Sequence, residues 1–149
     1  MKNVNHFNLI IKNDKIENMM MSNPKTILIV EDEQSLSDIL ASKLSACGFS
    51  ILKAENGERG LDLALKHHPD LILLDIIMPK MDGMTMVHRL REYVWGSTAR
   101  IIILTNLMDN EKVVEAMKNK VSDYLIKTDW KLKNLVDIIK KKLGLNYTA

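Results

Sequence analysis

The sequence predicts an α/β domain: a doubly wound, five-stranded parallel sheet with five helices on its two faces. Three observations carry this reading. From Lys25 onward, short aliphatic runs recur, too brief for helices and too continuous for strands with one face in water. Segments with apolar residues at helical spacing separate those runs. Most of the runs also end abruptly in a polar side chain capable of chemistry.

The first strand is Thr26-Ile27-Leu28-Ile29-Val30, followed at once by Glu31-Asp32-Glu33. Leu36, Ile39, Leu40, Leu44 and Cys47 then mark a helix, with Gly48 where a helix C-terminus favours glycine. A second strand fits Phe49 to Ala54, and Asn56 can cap a helix bearing Leu61, Leu63, Ala64 and Leu65 that must stop before Pro69. Leu71-Ile72-Leu73-Leu74 forms the third strand and exits into Asp75. A loop with Pro79 and Gly83 leads to a helix carrying Met84, Met86, Val87, Leu90 and Val94. The fourth strand, Arg100 to Leu104, ends in Thr105; a helix from about Asp109 to Lys118 carries Val113, Val114 and Met117. A fifth strand, Val121 to Ile126, ends in Lys127, and a last helix with Leu132, Leu135, Val136, Ile139 and Leu143 on one face stops at Gly144.

Residues 1–24 differ from the rest. Six asparagines break any pattern, and the segment reads as a flexible extension, with an amphipathic helix around Leu9 to Met21 as the alternative. The domain proper spans 25–144, and 145–149 form a short tail. At 149 residues, 46% hydrophobic and 27% charged, the chain is globular and of single-domain size. A net charge of +2 argues against a nucleic-acid surface. One cysteine, Cys47, excludes an internal disulfide and fits a reducing compartment. No apolar run approaches a membrane span, and Leu9-Ile10-Ile11 is too short for a signal-peptide core. The expected location is therefore cytoplasmic.

In a doubly wound sheet, ligands meet the carboxyl ends of the strands where strand order reverses. Glu31, Asp32, Asp75, Thr105 and Lys127 all stand at strand ends. Carboxylates gathered there repel one another and call for a cation, and an oxygen-only donor set with open positions suits magnesium. Lys127 adds an ammonium and Thr105 a hydroxyl donor. Such a group fits a phosphoryl ligand, with one carboxylate able to act as the nucleophile.

From Lys25 to Leu143 the chain resembles the receiver domain of bacterial response regulators, with its flavodoxin-like fold. The resemblance rests on Ile29-Val30-Glu31-Asp32-Glu33, on Leu73-Leu74-Asp75 through Met78-Pro79-Lys80-Met81-Asp82-Gly83, on Ile103-Leu104-Thr105 and on Asp123-Tyr124-Leu125-Ile126-Lys127. It implies a sheet order 2-1-3-4-5, the order with which receiver domains illustrate the switch-point rule. It implies that Asp75 is the phosphoacceptor. Asp32, Asp75 and the main-chain carbonyl of Ile77 would ligate Mg2+, with Glu31 acting through water. Thr105 and Lys127 would bind phosphoryl oxygens, and Tyr124 would change rotamer as Thr105 moves. A sensor histidine kinase or phosphotransfer protein would be the donor. The output would be protein contact, with a homodimer through the fourth helix, fifth strand and fifth helix as one form, and the chain would not be an enzyme beyond its own aspartyl phosphorylation and dephosphorylation.

Four positions bear on how closely the chain follows the family pattern. Thr128 follows Lys127 where proline with a cis bond is usual, and a non-prolyl cis bond costs about 2.5–4 kcal/mol. Asn106 replaces a small residue, and Ile77 and Leu107 are apolar where they would shield an acyl phosphate from water. Asn106 and Thr128 motivate an alternative, a receiver-like interaction scaffold working without phosphorylation. True enzymes fit less well: no G-x-x-x-x-G-K-[ST] or G-x-G-x-x-G is present, and a haloacid-dehalogenase-type phosphatase needs an aspartate where Ile77 stands. His67, His68 and His88 lack metal-ligand spacing and read as helix-end or solvated residues.

Overall fold

A computed structural model describes residues 23–106, 110–121, 123–126 and 132–145. In chain order these form β1 (Thr26–Val30), α1 (Gln34–Ala46), β2 (Ser50–Ala54), α2 (Gly57–His67), β3 (Leu71–Leu74), α3 (Gly83–Arg91), a 3-10 turn (Gly96–Thr98), β4 (Ile101–Thr105), α4 (Asn110–Lys118), β5 (Asp123–Ile126) and α5 (Leu132–Lys142). All strand pairs are parallel, in the order β2-β1-β3-β4-β5. The reversal falls between β1 and β3, where Val30 pairs with Leu74. Most of the N-terminal extension and the last residues of the tail lie outside the described residues.

The strands read as continuous apolar runs because both of their faces are covered. Leu28 and Val30 of β1, Ile72 and Leu74 of β3, and Ile101 and Ile103 of β4 face one core, which Leu63, Met86, Leu90 and Ala116 complete from α2, α3 and α4. The alternate residues Ile27, Ile29, Leu71, Leu73, Ile102 and Leu104 face a second core built with Leu40 and Leu44 of α1 and Leu135 and Ile139 of α5. Burying each such side chain stabilises the fold by about 1.5–3 kcal/mol. Among the described residues, the buried polar side chains are Glu31, Asp75 and Thr105 at strand ends, Ser37 on α1 and Asn56 at the start of α2.

Local signals bound several of the helices. Asn56 Oδ1 accepts from the Arg59 N–H at 2.8 Å, and Asp82 Oδ1 accepts from the Thr85 N–H at 2.8 Å. Gly48 and Gly144 take φ of 96° and 70°, the left-handed conformation glycine adopts without strain. Pro69 is preceded by His68, which closes α2 at φ 48° and stacks on Trp95 with ring centroids 4.4 Å apart.

Some apolar positions lie outside the cores. Ile39 is 54% exposed because Ser37, Leu40 and Leu44 hold the inner stripe of α1, and Ile39 is turned about 100° from Leu40. Val94 is 94% exposed because α3 ends at Arg91, before the helical spacing could carry Val94 inward. On α4, Val114 and Met117 are also exposed, and Ala116 takes the buried position. Cys47 is half-buried against the α1–α5 core. No helix among the described residues is long and apolar enough to cross a membrane.

Candidate functional site

The carboxyl ends of β1 and β3 carry the acids. Main-chain ladder bonds continue one step beyond the strands: the Glu31 N–H donates to the Ala54 carbonyl and the Asp75 N–H to the Val30 carbonyl, each at 3.0 Å. Glu31 and Asp75 are thereby fixed side by side at the switch point. Carboxylate oxygens of Glu31, Asp32 and Asp75 all lie within 4.8 Å of one another. Glu31 and Asp75 are buried, whereas Asp32 is exposed. Leu40, Leu73 and Leu104 form an apolar floor beneath Glu31 and Asp75 with no water-sized space. Hydrocarbon below and like charges alongside make this a place that favours a cation.

Two main-chain donors hold the acids in position. The Ile76 N–H donates to Asp75 Oδ1 at 2.7 Å, and the Glu33 N–H to Glu31 Oε1 at 3.2 Å. The second contact turns the chain back into α1 and leaves Asp32 facing solvent.

The loop from Asp75 to Gly83 is tied at both ends. Gly83 donates its N–H to the Ile76 carbonyl at 2.8 Å, so closely that any Cβ at this position would overlap the Asp75 carbonyl oxygen. Gly57 at the start of α2 donates to the Met81 carbonyl at 3.0 Å and is likewise barred from bearing a side chain. This close packing makes glycine obligatory at both positions. Neither requirement is visible in the apolar periodicity; the only local signs are the Asn56-Gly57 and Asp82-Gly83 pairs at the helix starts.

Thr105 closes β4 and is 1% exposed. Ile103 pairs with Leu74, which sets Thr105 just beyond the level of Asp75 on the neighbouring strand. On the other side, Thr105 pairs with Ile126. Lys127, Leu107 and Thr128 lie outside the described residues, and of Tyr124 the structure describes only its place in β5, opposite Ile103. The Ile77 side chain is 62% exposed beside the acids, and Asn106 is exposed after Thr105. Glu31, Asp32, Asp75 and Thr105 are thus brought to one end of the sheet from three strands far apart in sequence.

The donor set is all oxygen and carries three formal negative charges, two of them buried. It fits a hard divalent ion such as magnesium, which binds through one or two carboxylates and keeps several waters.

The same architecture occurs in characterised proteins. The family model for the response regulator receiver domain matches residues 27–140. The DNA-binding dual master transcriptional regulator RpaA of Synechocystis sp. is 34% identical over 101 residues, which is 68% of this chain and 42% of RpaA. "Probable transcriptional regulator ycf27" of Cyanophora paradoxa is 37% identical over 108 residues, covering 72% of this chain and 44% of that protein. The chain therefore spans less than half the length of these curated relatives. Among solved structures, the BeF3-activated N-terminal receiver domain of Klebsiella pneumoniae RstA superposes with a TM-score of 0.72 at 27% identity, covering 80% of this chain and 98% of that one. A CheY-like receiver domain protein of Methanospirillum hungatei shares the fold, with a TM-score of 0.77, 24% identity, and coverage of 82% of this chain and 95% of that one. A family match over most of the chain leads to one assignment: the chain belongs to the response regulator receiver domain family of two-component signalling.

Proposed function

We propose that the chain is a phosphorylation-switched receiver in which Asp75 accepts a phosphoryl group from the phosphohistidine of a sensor kinase or phosphotransfer protein. The observation that carries the reading is the convergence of Glu31, Asp32 and Asp75 oxygens within 4.8 Å at the switch point. An Asp75 carboxylate oxygen forms the new bond to phosphorus as the P–N bond of the donor breaks, and the imidazole leaves with the electron pair. Asp32, Asp75 and the Ile77 carbonyl are the residues that would hold magnesium, with Glu31 reaching it through water. Bound there, the ion supplies charge neutralisation for the carboxylates and the phosphoryl oxygens. The Ile76 N–H keeps one Asp75 oxygen oriented. Thr105 and Lys127 would donate to the equatorial oxygens, where a fixed donor is worth about 2.7–4 kcal/mol at the transition state. Ile77, exposed beside the acids, would limit the approach of water to the acyl phosphate.

The output is a change in protein contacts. Thr105 drawn toward the phosphoryl group would free space for Tyr124 and alter the α4–β5–α5 face, shifting a two-state equilibrium. Exposed Val114 and Met117 on α4 supply apolar surface for a partner or a second copy there. Catalysis is confined to the chain's own aspartate, so it acts as a switch and not as an enzyme on a separate substrate. The DNA binding named for RpaA belongs to a protein of which this chain covers 42%, and it is not carried over.

The test is intact-mass measurement after exposure to a small phosphodonor with and without magnesium. Wild type should gain one phosphoryl group only with the metal, and Asp75→Asn should gain none. A wild-type protein that remains unmodified would instead favour a scaffold that works without phosphorylation.

A further inference from the structure

The amino ends of β4 and β5, a strand's length from the acids, carry a second polar assembly that the phosphoryl chemistry does not use. Arg91, the last residue of α3, donates Nε–H to the Asn119 carbonyl at 2.9 Å and Nη1–H to the Gly96 and Ala99 carbonyls at 2.6 and 2.8 Å. Its Nη2 donates to the Lys120 carbonyl at 3.2 Å. A guanidinium has five N–H bonds, and the fifth, on Nη2, has no acceptor among the described residues. No carboxylate pairs with Arg91, Lys118 or Lys120 among the described residues. Burial of the guanidinium lowers its pKa, the sign of a cation whose hydration has been only partly replaced.

Arg91, Ser97, Lys118, Asn119 and Lys120 line one cavity of about 190 Å³. The Ser97 hydroxyl is committed to the Val94 carbonyl at 2.7 Å, so the three cations are left to recognise a ligand. Four carbonyls fix the plane of the guanidinium before any ligand arrives, which removes the ordering cost that a free arginine would carry. Lys118 and Lys120 are exposed at its rim. The space is smaller than the roughly 300 Å³ at which drug-sized sites begin. Three positive charges around it are better balanced by a dianion than by a carboxylate.

We infer that this cavity binds a small phosphate-type oxyanion, free or as the monoester group of a small molecule, through the Arg91 Nη2–H and the Lys118 and Lys120 ammonium groups. The site is separate from Asp75, so its failure would leave the phosphoacceptor reading untouched.

The experiment is an amide NMR titration of the full chain at constant ionic strength, with inorganic phosphate in one arm and glycerol 3-phosphate in the other. Amides of Ser97, Asn119 and Lys120 should shift saturably. A Lys118→Gln/Lys120→Gln double variant should bind about tenfold more weakly, while keeping its unfolding midpoint and its phosphorylation at Asp75. Tighter binding of the monoester assigns the site to an esterified phosphate, and tighter binding of the inorganic ion assigns it to free phosphate; both support the proposal. Shifts that do not saturate in either arm, that persist unweakened in the double variant, or that are confined to the Thr105 end would overturn it.

Discussion

At the carboxyl end of the sheet, Glu31, Asp32 and Asp75 bring like charges together on an apolar floor. At the amino end, Arg91 spreads one positive charge over four main-chain carbonyls from Gly96, Ala99, Asn119 and Lys120. The acids are crowded together by backbone closeness, a concentration of like charge that a divalent ion would offset. The arginine is met largely by internal dipoles, and its bonds join α3, the 3-10 turn and the segments leading into β4 and β5. One end is therefore tuned for exchange with ligands, and the other mainly for holding elements together. Substitutions at the two ends should separate activity from stability.

The largest effect is expected at the carboxyl end. Gly83→Val places side-chain atoms over the Asp75 carbonyl, where backbone must give way. It should lower unfolding free energy by about 3 kcal/mol or more in urea titrations and abolish phosphorylation even in the fraction that folds. A variant of near wild-type stability would show that the loop is not held as tightly as its hydrogen bonds indicate.

Arg91→Ala comes next. It leaves four carbonyls to find water, and for a half-exposed guanidinium the expected cost is about 2 kcal/mol by the same measurement. Arg91→Lys should recover little, because an ammonium cannot reproduce the planar fork. Both variants should still be phosphorylated once folded. Loss of phosphorylation without loss of stability would erase the distinction between the two ends.

The smallest effect is expected far from either end. The Lys53 ammonium, hydrogen-bonded to Asp38 at 2.5 Å, holds that carboxyl below its ordinary value of 3.8, with Gln34 helping. A depressed carboxylate stabilises the fold above that value and loses its contribution as pH falls through the lowered one. Asp38 is exposed, so salt screens the pair. Asp38→Asn should flatten the acid limb of a stability-against-pH curve slightly at low salt and leave it unchanged at high salt.

Much of the sheet end was legible because its signals are local. A carboxylate after Leu74, a pair after Val30 and a hydroxyl after Leu104 can each be read from a few neighbouring residues. Asn56, Gly48 and Gly144 similarly announce helix boundaries by their own chemistry. The arginine clamp has no such signature, since its acceptors are main-chain carbonyls that any residue would supply. Nor was the His88–Glu115 contact at 2.8 Å readable, because it joins α3 to α4 across 27 positions. Ile39 and Val94 were placed inward on spacing alone. Periodicity assumes that a helix continues and cannot choose between adjacent apolar candidates; the end of α3 and a buried Ser37 decided both cases.

The measurement that bears most directly on the account is chemical location of the phosphoryl group after transfer from a phosphorylated kinase domain in magnesium. An acyl phosphate on a carboxylate is cleaved by hydroxylamine, and peptide mapping then reports the modified residue. The expected result is a single hydroxylamine-sensitive modification at Asp75 that is lost when Asp32 is replaced by alanine. A modification on any other residue, or one at Asp75 that forms equally well without Asp32 and without magnesium, would contradict it.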